Sequence, residues 1–379
     1  MTDVLIFGDT ERSQELRHEI PLLVPDPFLY VEVGGKRLAV VSSMEQPRIS
    51  DAAPEVELHT VEEYGYDDLV AQGLSYEQLA PLNAVNAVKA LGVKKAVVPA
   101  TFPLELADGL RAEGIELVVD RDLFKDRRRQ KTPAEVAGIK RAQKAAEAGM
   151  RAAAEILRAS TPDAGGELQY EGRTLTCERV KEAILQAFVA NGCIADEFIV
   201  AAGPQGAVGH HMGSGPIRAS QPLVIDIWPK DNESACFADM TRTFVVGEVE
   251  ERTADFHRVV KASLDAAIAA MKDGVPGKTV YEASCEPFHQ AGYPTLLNKK
   301  PGEILREGFF HGLGHGVGLA VHEGPGMSRG SDVLRAGDII TVEPGCYQQG
   351  YGGVRLEDLV LVTKDGCENL TDFPYDLAP

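Results

Sequence analysis

Short apolar runs punctuate the first third of the chain: VLIFG, RLAVVSS, AVVPA and IELVVD, with YEQLAPLNAVNAVKAL carrying helical spacing between them. This alternation of strand-like and helix-like segments predicts a small α/β domain. The charged stretch DRDLFKDRRRQK, residues 120–131, breaks the pattern. Directly after it, Thr132-Pro133-Ala134-Glu135 reads as a helix start, with Thr as N-cap, Pro at the first helical position and Glu three residues beyond the cap. The pattern divides the chain into an N-terminal domain, residues 1–130, and a second domain, residues 131–379.

The second domain opens on alanine-rich helices, IKRAQKAAEAGMRAAAEIL and CERVKEAILQAFVANG, followed by candidate strands EFIVAAG, PLVIDIW and TRTFVVG. Two more helices are predicted around 252–272 and 279–291, then strands within 308–322, in GDIITVEPG and in VRLEDLVLVT. Helices and strands come in runs, and consecutive strands are joined by short turns. The class is therefore α+β with a largely antiparallel sheet and flanking helices.

Composition narrows the partners more than the fold. Basic residues number 38 against 57 acidic ones, a net charge of −19, and no run of Lys or Arg could neutralise phosphates, which argues against nucleic acid. No stretch approaches the ~20 apolar residues of a membrane span, and MTDVLIFGDTERS lacks the basic region and long apolar core of an export signal. Six scattered cysteines with no Cys-x-x-Cys pair read as reduced thiols, so a cytoplasmic location is the expectation.

Against this background HGLGHGVGLAVHE, residues 311–323, gathers three of the nine histidines among four glycines. As a helix it would put His311, His315 and His322 on one face, but four interior glycines cost about 1 kcal/mol each. As a strand it puts His311 and His315 on one face and His322 on the other, unless an irregularity shifts the phase. Glycines in strands mark bulges and close backbone approach, so an irregular strand lining a crowded site is the better reading. Phosphate loops are excluded: Val317 and Leu319 stand where G-x-G-x-x-G needs glycine, and GVPGKT has Lys272 at the first glycine position of a Walker loop.

The pattern also carries acids where apolar residues belong: Asp226 inside PLVIDIW, Glu343 inside ITVEPG, Glu357 and Asp358 inside RLEDLVLV. A carboxylate in a half-buried strand is costly unless paired, hydrogen-bonded or metal-bound. One such acid is explained by a structural salt bridge; several in one domain beside a histidine cluster point to a site. If Asp226, Asp239, Glu343 and Glu357 converge with one histidine, they repel one another unless cations compensate, and two divalent ions cancel four negative charges. An oxygen-rich set with one imidazole suits Mn2+, Co2+ or Zn2+.

In chain order AVGH, VIDIW, ADMTRT, HGLGHGVGL, VHEGP, TVEPG and RLED resemble the motifs of the pita-bread-fold metallopeptidases, the family of prolidase, aminopeptidase P, methionine aminopeptidase and creatinase. The motifs span residues 203–358, and the N-terminal part resembles the small creatinase and prolidase N-terminal domain. The resemblance implies a pita-bread catalytic domain behind a smaller α/β domain, and a homodimer. It implies that Asp226, Asp239, His315, Glu343 and Glu357 bind two divalent metal ions, Mn2+ first and Co2+ or Zn2+ as alternatives, with Asp239 and Glu357 bridging. By the same likeness His210, His311 and His322 would serve catalysis and substrate contact, with His211 the alternative to His210. Arg355, two residues from Glu357 on one strand face, would orient that ligand, and Tyr347 would lie near a metal-bridging hydroxide.

The implied reaction is metal-assisted amide hydrolysis, with Glu343 exchanging a proton with that hydroxide. The implied substrates are dipeptides or short peptides with an N-terminal Xaa-Pro bond, cleaved by a dipeptidase or an aminopeptidase. Methionine aminopeptidases usually lack such an N-terminal domain, and creatinases act without the metal centre. The alternatives are a non-catalytic protein-binding member of the fold or another amide or C–N hydrolase. Loss of ligands would mark the binding member, and none is lost. The stretch from Asp226 to Asp239 is longer than in commoner members, and Trp228 replaces a glycine. A longer turn at PKDNES is expected, with both acids kept at strand positions. Asp358 should make a structural contact on the opposite face, and Cys236 and Cys346 should be small buried residues.

Overall fold

In the computed structural model, which describes residues 2–330 and 332–379, the four apolar runs of the N-terminal region become the strands Asp3–Gly8, Lys36–Val41, Lys95–Val98 and Glu116–Val119. Two further strands, Phe28–Val33 and Glu57–Thr60, complete a six-stranded mixed sheet whose two central pairings are antiparallel and whose outer pairings are parallel. Phe28–Val33 escapes the pattern because its first four residues are all buried, which erases alternation. Leu5, Leu29 and Val31 face Ala84 and Val88 of the helix Tyr76–Ala90, while Val4, Ile6 and Tyr30 face Leu16, Ile49 and Phe124. Phe124 corrects one expectation. The charged stretch does not break the pattern but forms an amphipathic helix, Arg121–Arg129, opened by Asp120 accepting from the Leu123 N–H at 2.9 Å.

The chain separates into two compact units, Met1–Arg128 and Arg129–Pro379. The second unit opens where its cap predicts: Thr132 Oγ1 accepts from the Glu135 N–H at 3.1 Å, and the Glu135 carboxylate accepts from the Thr132 N–H at 2.7 Å. The helix that follows, Pro133–Ala159, buries Ile139, Ala142, Ala146, Met150, Ala153 and Leu157 along one stripe. Its small residues let the helix Cys177–Ala190 come close; a Cβ on Gly149 would stand 2.7 Å from the Phe188 ring.

Three of the antiparallel sheets of the second unit position the site. The first orders Ile199–Ala202, Leu223–Ile227 and Met240–Phe244. The second orders Glu323–Met327, Gly314–Gly316, Ile339–Val342, Asp358–Val362 and Cys367–Asn369; the third orders Glu307–Gly308, Gly345–Gln348 and Gly352–Arg355. The helices Glu251–Ala270 and Gly277–Gln290 pack together over a core that includes Ile340, Val342 and Val360. No helix among the described residues is long and apolar enough to cross a membrane.

Three local expectations need correction. VRLEDLVLVT is two strands, interrupted at Leu356 and Glu357, where Glu357 instead bridges to Thr241. Residues 308–322 hold only short strand pieces, because a register irregularity after His315 ends the ladder. Asp226 is on its strand, but Asp239 lies one residue outside Met240–Phe244, beyond the last pair, Ile227 with Met240. Asp358 makes its structural contact: Arg242 Nη2 donates to its Oδ1 at 2.9 Å, both side chains being fully buried. Cys236 and Cys346 are buried.

Candidate metal centre

Register brings the acids together. Asp226 lies opposite Thr241, and Thr241 bridges to Glu357, so the three form one row across adjacent strands. Asp239 precedes Thr241 by two residues and returns to the same face. Thr241 Oγ1 donates to Glu357 Oε2 at 2.7 Å, while Asp239 Oδ1 accepts from the Met240 N–H at 3.0 Å. Glu343 follows the strand Ile339–Val342, its N–H donating to the Leu313 carbonyl at 2.8 Å. This ties it to the histidine segment.

In that segment the glycines are spatial requirements. A Cβ on Gly314 would collide with the Thr341 carbonyl oxygen, and one on Gly316 with the Gly324 carbonyl oxygen. Between them the His315 N–H donates to Thr341 Oγ1 at 3.1 Å, and its ring Nδ1–H donates to the Gly316 carbonyl at 3.1 Å. The other nitrogen, Nε2, is left with its lone pair 3.4 Å from Glu343 Oε1 and 3.8 Å from Asp239 Oδ2. Ligand atoms of Asp239, His315 and Glu357 all lie within 4.8 Å of one another. Past the irregularity the chain turns back, and the His322 ring packs edge-on against His315 with centroids 4.3 Å apart.

A second set of side chains backs the acids. His311 Nδ1–H donates to the Gly312 carbonyl at 2.7 Å, so its Nε2 accepts from the Tyr347 hydroxyl at 2.9 Å. The Tyr347 oxygen in turn accepts from Arg355 Nη1 at 2.9 Å. Arg355 does share the face of Glu357, but its guanidinium goes elsewhere: Nη2 pairs with Asp226 Oδ2 at 2.5 Å, and only Nε approaches Thr241 Oγ1, at 3.3 Å. It therefore contacts Asp226 directly and Glu357 only through Thr241, a correction to the direct contact with Glu357 expected from the sequence.

All ten residues singled out from the sequence, His210, Asp226, Asp239, His311, His315, His322, Glu343, Tyr347, Arg355 and Glu357, line one cavity of about 650 Å³. His211 does not line it; its Nδ1 accepts from the Gly213 N–H at 3.0 Å. Burial pushes the Asp239 and Glu357 carboxyls well above the usual carboxylate range, and repulsion from the neighbouring acids adds to it. Burial pushes Glu343 up to about 8 against the pull of Arg355. It also pushes His315 down to about 4 and His311 to about 3, keeping both imidazoles neutral. The four carboxylates of Asp226, Asp239, Glu343 and Glu357 and the exposed Glu197 thus line the cavity against Arg355, its one arginine or lysine among the described residues. An oxygen-rich donor set with one directed imidazole lone pair and this charge deficit fits divalent cations.

Residues 137–364 match the model of metallopeptidase family M24. The chain belongs to this family. Over 283 residues the M24 chain is 32% identical to the probable dipeptidase PepE of Mycobacterium tuberculosis, covering 74% of this chain and 68% of that one. Over 296 residues it is 30% identical to an Xaa-Pro dipeptidase of Pyrococcus horikoshii, covering 78% and 76%. Its fold is similar to that of an X-Pro aminopeptidase from Thermotoga maritima, with a TM-score of 0.78 at 22% identity over 98% and 96% of the two chains. The fold is the pita-bread fold of family M24 with an N-terminal α/β domain.

Thr241, Glu197 and the place of Trp228 in the cavity escaped the sequence reading. Thr241 stands inside ADMTRT and contacts Glu357; its position two residues after Asp239 is the signal that it shares the acidic face. Trp228 lines the cavity, where its place two residues after Asp226 puts it on the same side.

Proposed function

We propose that this M24 chain hydrolyses the Xaa-Pro bond at the N-terminus of dipeptides or short peptides, as an Xaa-Pro dipeptidase or aminopeptidase. Asp226, Asp239, His315, Glu343 and Glu357 would hold two divalent ions, Mn2+ first. The observation that carries the reading is the set of four carboxylates facing one arginine in a single cavity. The likeness to an Xaa-Pro dipeptidase supports the proline preference. Residues 131–379 are the catalytic domain in this reading, and residues 1–130 a creatinase-like and prolidase-like N-terminal domain. Six unpaired cysteines fit a cytoplasmic setting.

When bound, two such ions polarise a scissile carbonyl and make a water nucleophilic at neutral pH. The protein's own groups position and move protons around that chemistry. Glu343 accepts a proton at a carboxylate oxygen and returns it. Arg355 holds Asp226 in place and fixes the Tyr347 hydroxyl, whose proton points at His311 Nε2. The Tyr347–His311 pair is thereby set to redirect a hydrogen bond to a developing oxyanion. His210 and His322, both exposed and lining the cavity, contact the substrate and supply a proton to the leaving nitrogen.

Incubating the Mn2+-loaded protein with Ala-Pro, Ala-Pro-Ala and Ala-Ala-Ala tests the reading. Free alanine should be released from one or both proline peptides and not from Ala-Ala-Ala. Cleavage of Ala-Ala-Ala at the same rate, or of none of the three, rejects it. Preference between the first two decides dipeptidase against aminopeptidase.

A further inference from the structure

The long connection between Asp226 and Asp239, which the metal chemistry does not use, builds a second cavity. It is about 250 Å³ in volume and shares Glu197, Trp228 and Val321 with the main one. Its remaining wall includes Asp196 and Phe237. The connection is rigidly held: Ile194 pairs with Lys230, Lys230 bridges back to Phe237, and the Phe237 N–H donates to the Gly318 carbonyl at 2.8 Å. Asp231 pins the turn by accepting from the Ser234 N–H at 2.8 Å and from Arg141 at 2.8 Å. A Cβ on Gly138 would collide with Ser234, so the turn is also seated tightly on the long helix.

Chemically this side cavity joins two aromatic rings to two acids. The Asp196 and Glu197 carboxylates are exposed and make no hydrogen bond or ion pair among the described residues. Among the described residues the one cation in the wall is Lys230, whose Nζ lies 5.9 Å from the Phe237 ring centroid; its single positive charge is outweighed by the two carboxylates, and the Trp228 ring is left for an incoming side chain. We infer that the side cavity is a specificity subsite for a substrate arginine or lysine side chain, at Xaa or directly after the proline, its stem against Trp228 and its charge toward Asp196 and Glu197. The inference rests on the peptidase reading for its biological sense, but its test does not.

Trp228 is the only tryptophan of the chain, so intrinsic fluorescence reports occupancy of this subsite without turnover. Titrating the full-length protein with argininamide and with norleucinamide separates the side-chain cation from the α-ammonium group that both carry. Argininamide should bind roughly two- to fivefold more tightly, as expected from exposed ion pairs. In the Asp196→Asn/Glu197→Gln variant the two affinities should converge. Equal affinities in the native protein, an unchanged ratio in the variant, or tighter binding of glutamic acid diamide through Lys230 each overturn the inference. Kinetics with Arg-Pro-Ala and Ala-Pro-Arg then tell which side of the bond the subsite serves. If neither peptide is cleaved, the peptidase reading fails while the fluorescence result stands.

Discussion

Each unit of this protein gathers acids around arginine and a tyrosine, and the two clusters do opposite things. In the N-terminal unit Glu19 and Glu32 face Arg37 and Arg127 around the Tyr30 hydroxyl, with Arg127 donating to Glu19 at 2.9 Å and to Glu32 at 2.7 and 2.8 Å. Charges balance there, and although burial alone would raise Glu32, Arg127 holds it below its ordinary value. In the second unit Asp226, Asp239, Glu343 and Glu357 share Arg355, and three of the four carboxyls are pushed upward. The lesson is that a buried carboxylate by itself marks nothing. An uncompensated set marks a place that cations complete.

The largest test of that contrast removes one acid from the unbalanced cluster. Asp239→Ala should abolish both metal content, read by elemental analysis, and Xaa-Pro hydrolysis; full activity in this variant rejects the ligand set. Tyr347→Phe removes the link between Arg355 and His311 without touching a proposed ligand. It should lower kcat about 10- to 100-fold, the usual loss for an orienting partner, with metal content retained. A Tyr347→Phe enzyme with native kcat would show the link to be idle.

The balanced cluster should respond only in stability. Arg127→Met leaves Glu19 and Glu32 short of a partner and should cost about 1–3 kcal/mol in urea unfolding, the lower end being favoured by its partial exposure. Turnover per folded molecule should be unchanged, and a large loss of kcat would break the distinction between the clusters. The smallest effect is in pH dependence. Metal-free protein keeps a proton on Glu343 up to about pH 8, whereas the unfolded chain releases it near 4.5, so this stabilising contribution is lost as pH rises through 8. His311 and His315, held neutral, act in the opposite sense below about 6.5. Between pH 6.5 and 8 the melting temperature of the metal-free protein should therefore fall, and added Mn2+ should remove the slope. A melting temperature flat over that window contradicts the charge deficit.

Much of the site is legible in the chain because its acids interrupt apolar periodicity. Asp226 in PLVIDIW and Glu343 in ITVEPG stand out for that reason alone. Thr241 does not, since a threonine in a strand is unremarkable until Glu357 is found 2.7 Å away. Phe28–Val33 was hidden for the complementary reason: a strand buried on both faces has no alternation to read. Counting two residues from Arg355 to Glu357 yields the right face and the wrong partner, because periodicity specifies the direction of a side chain but not how far a long guanidinium reaches.

Local pattern, by itself, determined the class of each unit, the helix capped by Thr132, and which acids interrupt the apolar runs and where the histidines gather. These depend on near neighbours in the chain: a cap, a period, a charge out of place. Only tertiary structure decided that Asp226, Thr241 and Glu357 lie in one row, that Arg355 serves Asp226, and that Trp228 divides the main cavity from its neighbour. Those relations join residues up to 129 positions apart, and no local preference fixes the register that brings them into contact.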